Sequence, residues 1–162
     1  MMGTGIADMQ GATRGAGDAA RIEGRDFHGA DLTARDFAGV RFRNCELRGA
    51  RLDWANLEGA GLDHARLLGA SLAHAHLRSA SLKGANLRGA RLVCASLIGA
   101  DLTGALLKEA DLSGANLSGA TCLWGDAAGA VFTGALYDAG TRLPPGFRPE
   151  MMGMIRMEAA RA

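Results

Sequence analysis

The chain has 162 residues, enough for one domain with a continuous core, and 22% of them are charged with a formal net charge of +1. So even a balance excludes a whole-molecule field of the kind that draws nucleic acid or an anionic membrane surface. Gly at 24 residues against only 3 Pro argues for tight turns at regular intervals and against a disordered linker.

Residues 1–19 are rich in Gly and Ala without periodicity and predict a flexible N-terminal tail. They contain no basic n-region followed by an apolar h-region, and no stretch approaches 18 consecutive apolar residues. Cys45, Cys94 and Cys122 are an odd number at unrelated spacings, which fits reduced thiols better than a disulfide framework. The expectation is a soluble cytoplasmic protein.

Residues 20–139 hold a five-residue unit repeated 24 times without interruption. The unit centres run Ile22, Phe27, Leu32, Phe37 and Phe42, then Leu from 47 through 117, then Cys122, Ala127, Phe132 and Tyr137. Two residues before the centre stands Ala in 19 of 24 units, and two residues after it Gly in 14. A helix is excluded twice over. Five residues advance about 500° around a helix axis, so the leucines would form no stripe, and each interior Gly would cost about 1 kcal/mol. In an extended chain, residues two apart share a face, so Ala and Leu of each unit point the same way while the small residue turns the corner. A lone unit cannot bury its Leu. Stacked coils can, pairing backbone with the coil above and below at about 4.8 Å.

Ala-Asp-Leu-Ser-Gly at 110–114 and Ala-Asn-Leu-Ser-Gly at 115–119 carry the A(D/N)LxX signature, and on these the chain resembles the pentapeptide-repeat family over about three-quarters of its length. The resemblance implies an all-β solenoid: a right-handed quadrilateral β-helix, four units per coil, with the central and the preceding small residue inside. Twenty-four units then make about six coils, a rod of about 29 Å. Arg25 and Arg35 fall at inward positions of the first coil, where long side chains reach solvent. After it, residues 140–162 are expected to cap the last coil. Tyr137-Asp138, Thr141, Pro144, Gly146-Phe147, Pro149 and Gly153 resemble a closing segment of bacterial members, with departures at Leu143 and Arg148. Pro149 and Glu150 suit a helix start, and Met151, Met154 and Ile155 form an apolar face, predicting a short helix that caps the solenoid or joins a homodimer.

No catalytic, cofactor-binding or metal-binding set is expected. His74 and His76 straddle a corner without a third ligand, Cys45 and Cys122 sit at inward positions as small apolar residues, and glycine recurs with the fold's own period. Function therefore falls to the outward surface. Summed charge by coil runs −1, +1, +1, +3, −2, −2. The fourth coil offers a basic surface of Lys83, Arg88 and Arg91, and the last two an acidic surface of Asp101, Glu109, Asp111, Asp126 and Asp138. Among the outward apolar residues, which include Trp54, Leu68 and Leu106, an apolar docking patch is expected from Val93, Ile98, Leu123 and Trp124. These features predict a non-catalytic scaffold that docks a protein partner through its β-faces, with no direct nucleic-acid or membrane binding. The resemblance implies an alternative, a DNA-mimic binder of DNA gyrase or another type II topoisomerase that gives protection or self-resistance against topoisomerase poisons.

Overall fold

Most units close on a four-residue turn. In the unit centred on Leu77, the N–H of Ala80 donates to the carbonyl of Leu77 at 3.0 Å, and Ser79 between them takes φ 55°. A positive φ at the third residue is the type II requirement, which explains why Gly dominates this position. The same left-handed backbone is adopted by Ala34, Asn44, Trp54, His64, His74, Cys94 and Glu109.

A second device explains the Asp and Asn of the signature. The carboxylate of Asp111 accepts the N–H and the hydroxyl of Ser113 at 2.9 and 2.6 Å, and Asn116 accepts the N–H of Ser118 at 3.0 Å. Asp26, Asp31, Asp36, Asn56, Asn86, Asp101 and Asp126 do the same. A short acceptor two residues before an orphan N–H holds the turn locally.

The computed structural model describes residues 21–158; the predicted tail at 1–19 and the last residues of the predicted cap lie outside the described residues. Turns so closed set one coil upon the next at a step of twenty residues. Parallel bridges run from Arg21↔Arg41 through Asn116↔Leu136 in four columns, so the solenoid has four faces. The first carries Arg21, Arg41, Gly61, Ser81, Asp101 and Thr121; the second runs from Asp26 to Asp126, the third from Asp31 to Val131 and the fourth from Asp36 to Leu136. Each coil both gives and receives: Leu77 donates to Ser96 at 2.8 Å, and Ser96 returns a bond to Ala75 at 2.9 Å.

Inside, the leucines and alanines from Leu47 to Ala120 form one dry column, and no polar or charged residue is buried among the described residues. Phe27, Phe37 and Phe42 close the N-terminal part edge to face, with Phe37 and Phe42 centroids 5.2 Å apart. Arg25 is exposed and Arg35 half-buried despite their inward register, as long side chains at an end coil allow.

Two expectations are corrected near the C-terminal end. Trp124 does not face outward: it is 9% exposed, stacks on Phe132 and meets Phe147 edge to face at 5.3 Å. Ala127 at a unit centre and Gly125 in place of Ala leave volume unfilled, and the neighbouring indole turns in to fill it. The predicted capping helix is also absent. Pro149–Met152 makes a single 3-10 turn ending on Gly153 at φ 73°, and the chain then runs extended. It pairs as β2, Ile155–Arg156, with β1, Leu136–Tyr137, in parallel register. An unpaired edge of the last coil offers the passing chain backbone partners that a one-turn helix could not use. Only Met154 of the predicted apolar face is buried; Met151 and Ile155 are exposed.

Candidate functional site

The four faces decide which outward residues are neighbours, because the ladder stacks residues twenty positions apart on one face of successive coils. Lys83, Arg88 and Arg91 fall on the first, second and third faces. Two of them meet a member of the predicted acidic set, Lys83 Nζ lying 3.2 Å from Asp101 and Arg88 3.9 Å from Asp126, while Arg91 is the backbone bridge partner of Asp111 in the ladder. The basic and acidic residues are thus interleaved on three faces. Burial works to raise the pKa of Asp101, yet hydrogen bonds from Thr103 and Lys83 outweigh it and hold the carboxyl below its usual range.

Glu109 stands at a corner, 3.9 Å from Lys108. Asp138 belongs to the closing segment, where it accepts the N–H groups of Gly119 and Gly140, each at 2.9 Å. Its carboxyl is held low first by the Gly119 N–H and then by Thr141 and Gly140. Nearby, the Tyr137 hydroxyl donates to Glu150, which anchors the 3-10 turn to the last coil and lowers the Glu150 pKa while raising that of Tyr137.

The predicted apolar patch separates. Val93 and Ile98 are half-buried on the third and fourth faces with the exposed Cys94 at the corner between them, Leu123 is half-buried, and Trp124 belongs to the core. A different apolar surface takes its place. Among the described residues seven large apolar side chains are exposed, and five of them lie in the last coil or the segment after it: Val131, Met151, Met152, Ile155 and Met157. The Gly134 N–H donates to the Gly153 carbonyl at 2.8 Å, seating this segment on the last coil. Val131 was legible as an outward β-branched residue in the ladder column; Met152 and Met157 were signalled only by four Met within 151–157. The other two are Leu68 and Trp54, whose indole stacks on His74.

His74 is therefore engaged with an aromatic ring, and among the described residues no group of three or more His, Cys, Asp or Glu could hold a metal ion. Cys45 and Cys122 are buried, and burial pushes the Cys122 thiol up to about 12, far from a thiolate at neutral pH. No helix among the described residues is long and apolar enough to cross a membrane.

Comparison with known proteins agrees with this architecture. The family profile described as pentapeptide repeats matches in eight copies over residues 26–63, 55–92 and 95–134. No curated protein sequence matches significantly. Among solved structures, the pentapeptide repeat protein Rfr23 from the cyanobacterium Cyanothece 51142 is similar at 23% identity and TM-score 0.59, over 77% of this chain and 85% of that one. The pentapeptide repeat protein alr5209 from Nostoc Pcc 7120 is 34% identical over 66% of this chain and 84% of its own, with a TM-score of 0.37. QnrB1, a plasmid-mediated fluoroquinolone resistance protein, is 20% identical over 86% and 90% respectively, with a TM-score of 0.38.

Proposed function

The chain belongs to the pentapeptide-repeat family, and on that premise we propose that it is a non-catalytic protein-interaction scaffold that associates through its C-terminal end. In this reading residues 20–139 form a right-handed rod of about six coils, residues 140–162 close it, and a second copy of the chain is the first occupant of the closed end. The flat outer faces then remain for a protein partner. One observation carries the proposal: Val131, Met151, Met152, Ile155 and Met157 concentrate exposed apolar surface at one end of a molecule whose faces otherwise carry mostly polar or charged side chains. Exposed apolar surface of this kind marks an interaction site, and unbranched Met side chains adapt to a partner's contour. The outer edge of β2 also offers backbone groups for further pairing.

Light scattering on the full chain tests the reading. A mass twice the 16.7 kDa of one chain is expected, with return to the single mass on changing Met151 and Ile155 together to Asp. A wild-type protein that stays at the single mass at tens of micromolar, a concentration at which an interface of standard size is normally occupied, would overturn it.

A further inference from the structure

On the first face the ladder column runs Arg21, Arg41, Gly61, Ser81, Asp101. Gly61 is the one glycine among the 24 residues that immediately precede a unit centre. The fold does not require it. Its φ lies outside the left-handed region, and a Cβ there would meet Arg41 Cγ at 3.5 Å and Asp63 Oδ2 at 3.6 Å, ordinary van der Waals contacts. Gly61 lies in a notch of about 370 Å³, lined also by Gly59 and Ala60. The second coil contributes Arg41 and Arg43, the end of the third Ser79 and the start of the fourth Ser81.

The donors around this notch are unspent. Arg48, Arg51, Arg66, Arg78 and Arg88 each lie within 4 Å of a carboxylate. Among the described residues, Arg41 and Arg43 form no ion pair. Arg41 instead bridges Arg21, placing like charges side by side in the ladder, an arrangement that destabilises unless a counter-charge joins it. The Ser79 hydroxyl makes no hydrogen bond among the described residues, whereas Ser81 donates its own to Asp63 at 2.7 Å. Glu23 and Asp63 also line the notch, and Asp63 is engaged by the Ser81 hydroxyl. A phosphate group presents several strong acceptor oxygens to the two guanidinium donors.

We propose that this notch binds a phosphate group, Arg41 and Arg43 giving charge-assisted hydrogen bonds to its oxygens and Ser79 a neutral one. The chemistry is shared by free inorganic phosphate and by a phosphorylated serine or threonine of a protein partner. The site is independent of association through the C-terminal end, since it lies on the first face among the second to fourth coils.

The test is a titration of the full chain, followed through backbone amide NMR shifts, with inorganic phosphate and separately with a phosphoserine peptide and its unphosphorylated form. Saturable shifts at Gly59, Gly61 and Ser81 are expected. Arg41→Gln with Arg43→Gln should weaken binding by about tenfold or more, the loss of charge-assisted hydrogen bonds. Gly61→Val, which keeps every charge and narrows the notch beside Arg41, should weaken it while thermal melts stay cooperative. A phosphopeptide that binds more tightly than inorganic phosphate assigns the site to a partner's side chain; equal affinity assigns it to the free anion. Shifts that rise linearly without saturation for both probes would overturn the proposal, as would undiminished binding by Gly61→Val.

Discussion

The indole of Trp124 stacks on the ring of Phe132, centroids 5.2 Å apart and planes 24° from parallel, where the repeat register would have put an outward residue. It fills the space left by Ala127 at a unit centre. Replacing Trp124 by Ala should therefore cost about 3–5 kcal/mol, the range for a large aromatic removed from a core. Ala127→Leu should also destabilise, because the central volume is already occupied. Denaturant midpoints decide the matter: a Trp124→Ala protein within about 0.5 kcal/mol of wild type would place the indole at the surface.

In the middle of the rod the ladder makes a sharper contrast. Leu77 and Leu87 are fully buried, whereas His76 between coils of the fourth face is exposed. Leu77→Ala or Leu87→Ala should cost about 2–5 kcal/mol, and His76→Ser about 0.5 kcal/mol or less. Equal sensitivity in urea melts would mean that the inward and outward assignment is wrong.

The columns were legible because a coil of twenty residues imposes its period on everything inside it, so that Ala50, Ala70 and Ala90 repeat as their contacts repeat. Trp124 and the closing segment were not, for two physical reasons. A void is a property of several units together, and no single position announces that Gly125 and Ala127 will be filled from Trp124. Pro149 to Ile155 has helical spacing locally, yet the open edge at Leu136–Tyr137 supplies backbone partners that local propensity cannot outweigh. The surface was misgrouped for a third reason. Lys83, Arg88 and Arg91 share a coil, but Lys83 and Asp101 share a face, and it is the face that a partner meets.

At the corners, Glu109 and Gly119 adopt the same left-handed backbone, φ 60° and 65°. Glu109→Gly should stabilise the protein by about 0.5–1 kcal/mol, since an L side chain is strained there by about 1–2 kcal/mol and Gly returns part of that as unfolded-chain entropy. Gly119→Ala should destabilise by about 1 kcal/mol although nothing lies within 4 Å of the added Cβ. Opposite signs in thermal melts are the expected result; two shifts of the same sign would show that the backbone relaxes at one of the corners.

The closing segment should respond to pH from both sides. Asp138 and Glu150 have carboxyl pKa values below their ordinary range in the folded chain. Their contribution is fully present above the unfolded value of about 4 and is lost as pH falls through the folded value. Tyr137 is raised, chiefly by its hydrogen bond to Glu150, so its contribution is full below about pH 10 and lost as pH rises through the folded value. The melting temperature should form a plateau across neutral pH and fall at each end, with Glu150→Gln flattening the fall. A wild-type melting temperature unchanged between about pH 3 and pH 7 would dissociate these carboxyls from stability.

Finally, the protein should not act as a DNA mimic toward gyrase. Duplex DNA presents one negative charge per about 1.7 Å of axis, so a rod of about 29 Å would need about 17 surplus acids. The repeat region has no surplus, its coil charges summing to zero. The acids that do cluster in sequence are engaged in the fold: Asp101 pairs with Lys83, Asp126 faces Arg88, Asp111 accepts the N–H and hydroxyl of Ser113, and Asp138 holds the N–H groups of Gly119 and Gly140. The closing segment adds Arg142, Arg148, Arg156 and Arg161 against Glu150 and Glu158, so pairing two copies end to end would join segments that carry cations as well as acids. A supercoiling assay at low micromolar protein should show no inhibition of gyrase, and a cleavage assay no protection from a gyrase poison. Protection that disappears when Asp101, Asp111 and Asp126 become Asn would show that these three carboxylates, scattered over three faces, nonetheless act together as a surrogate phosphate backbone.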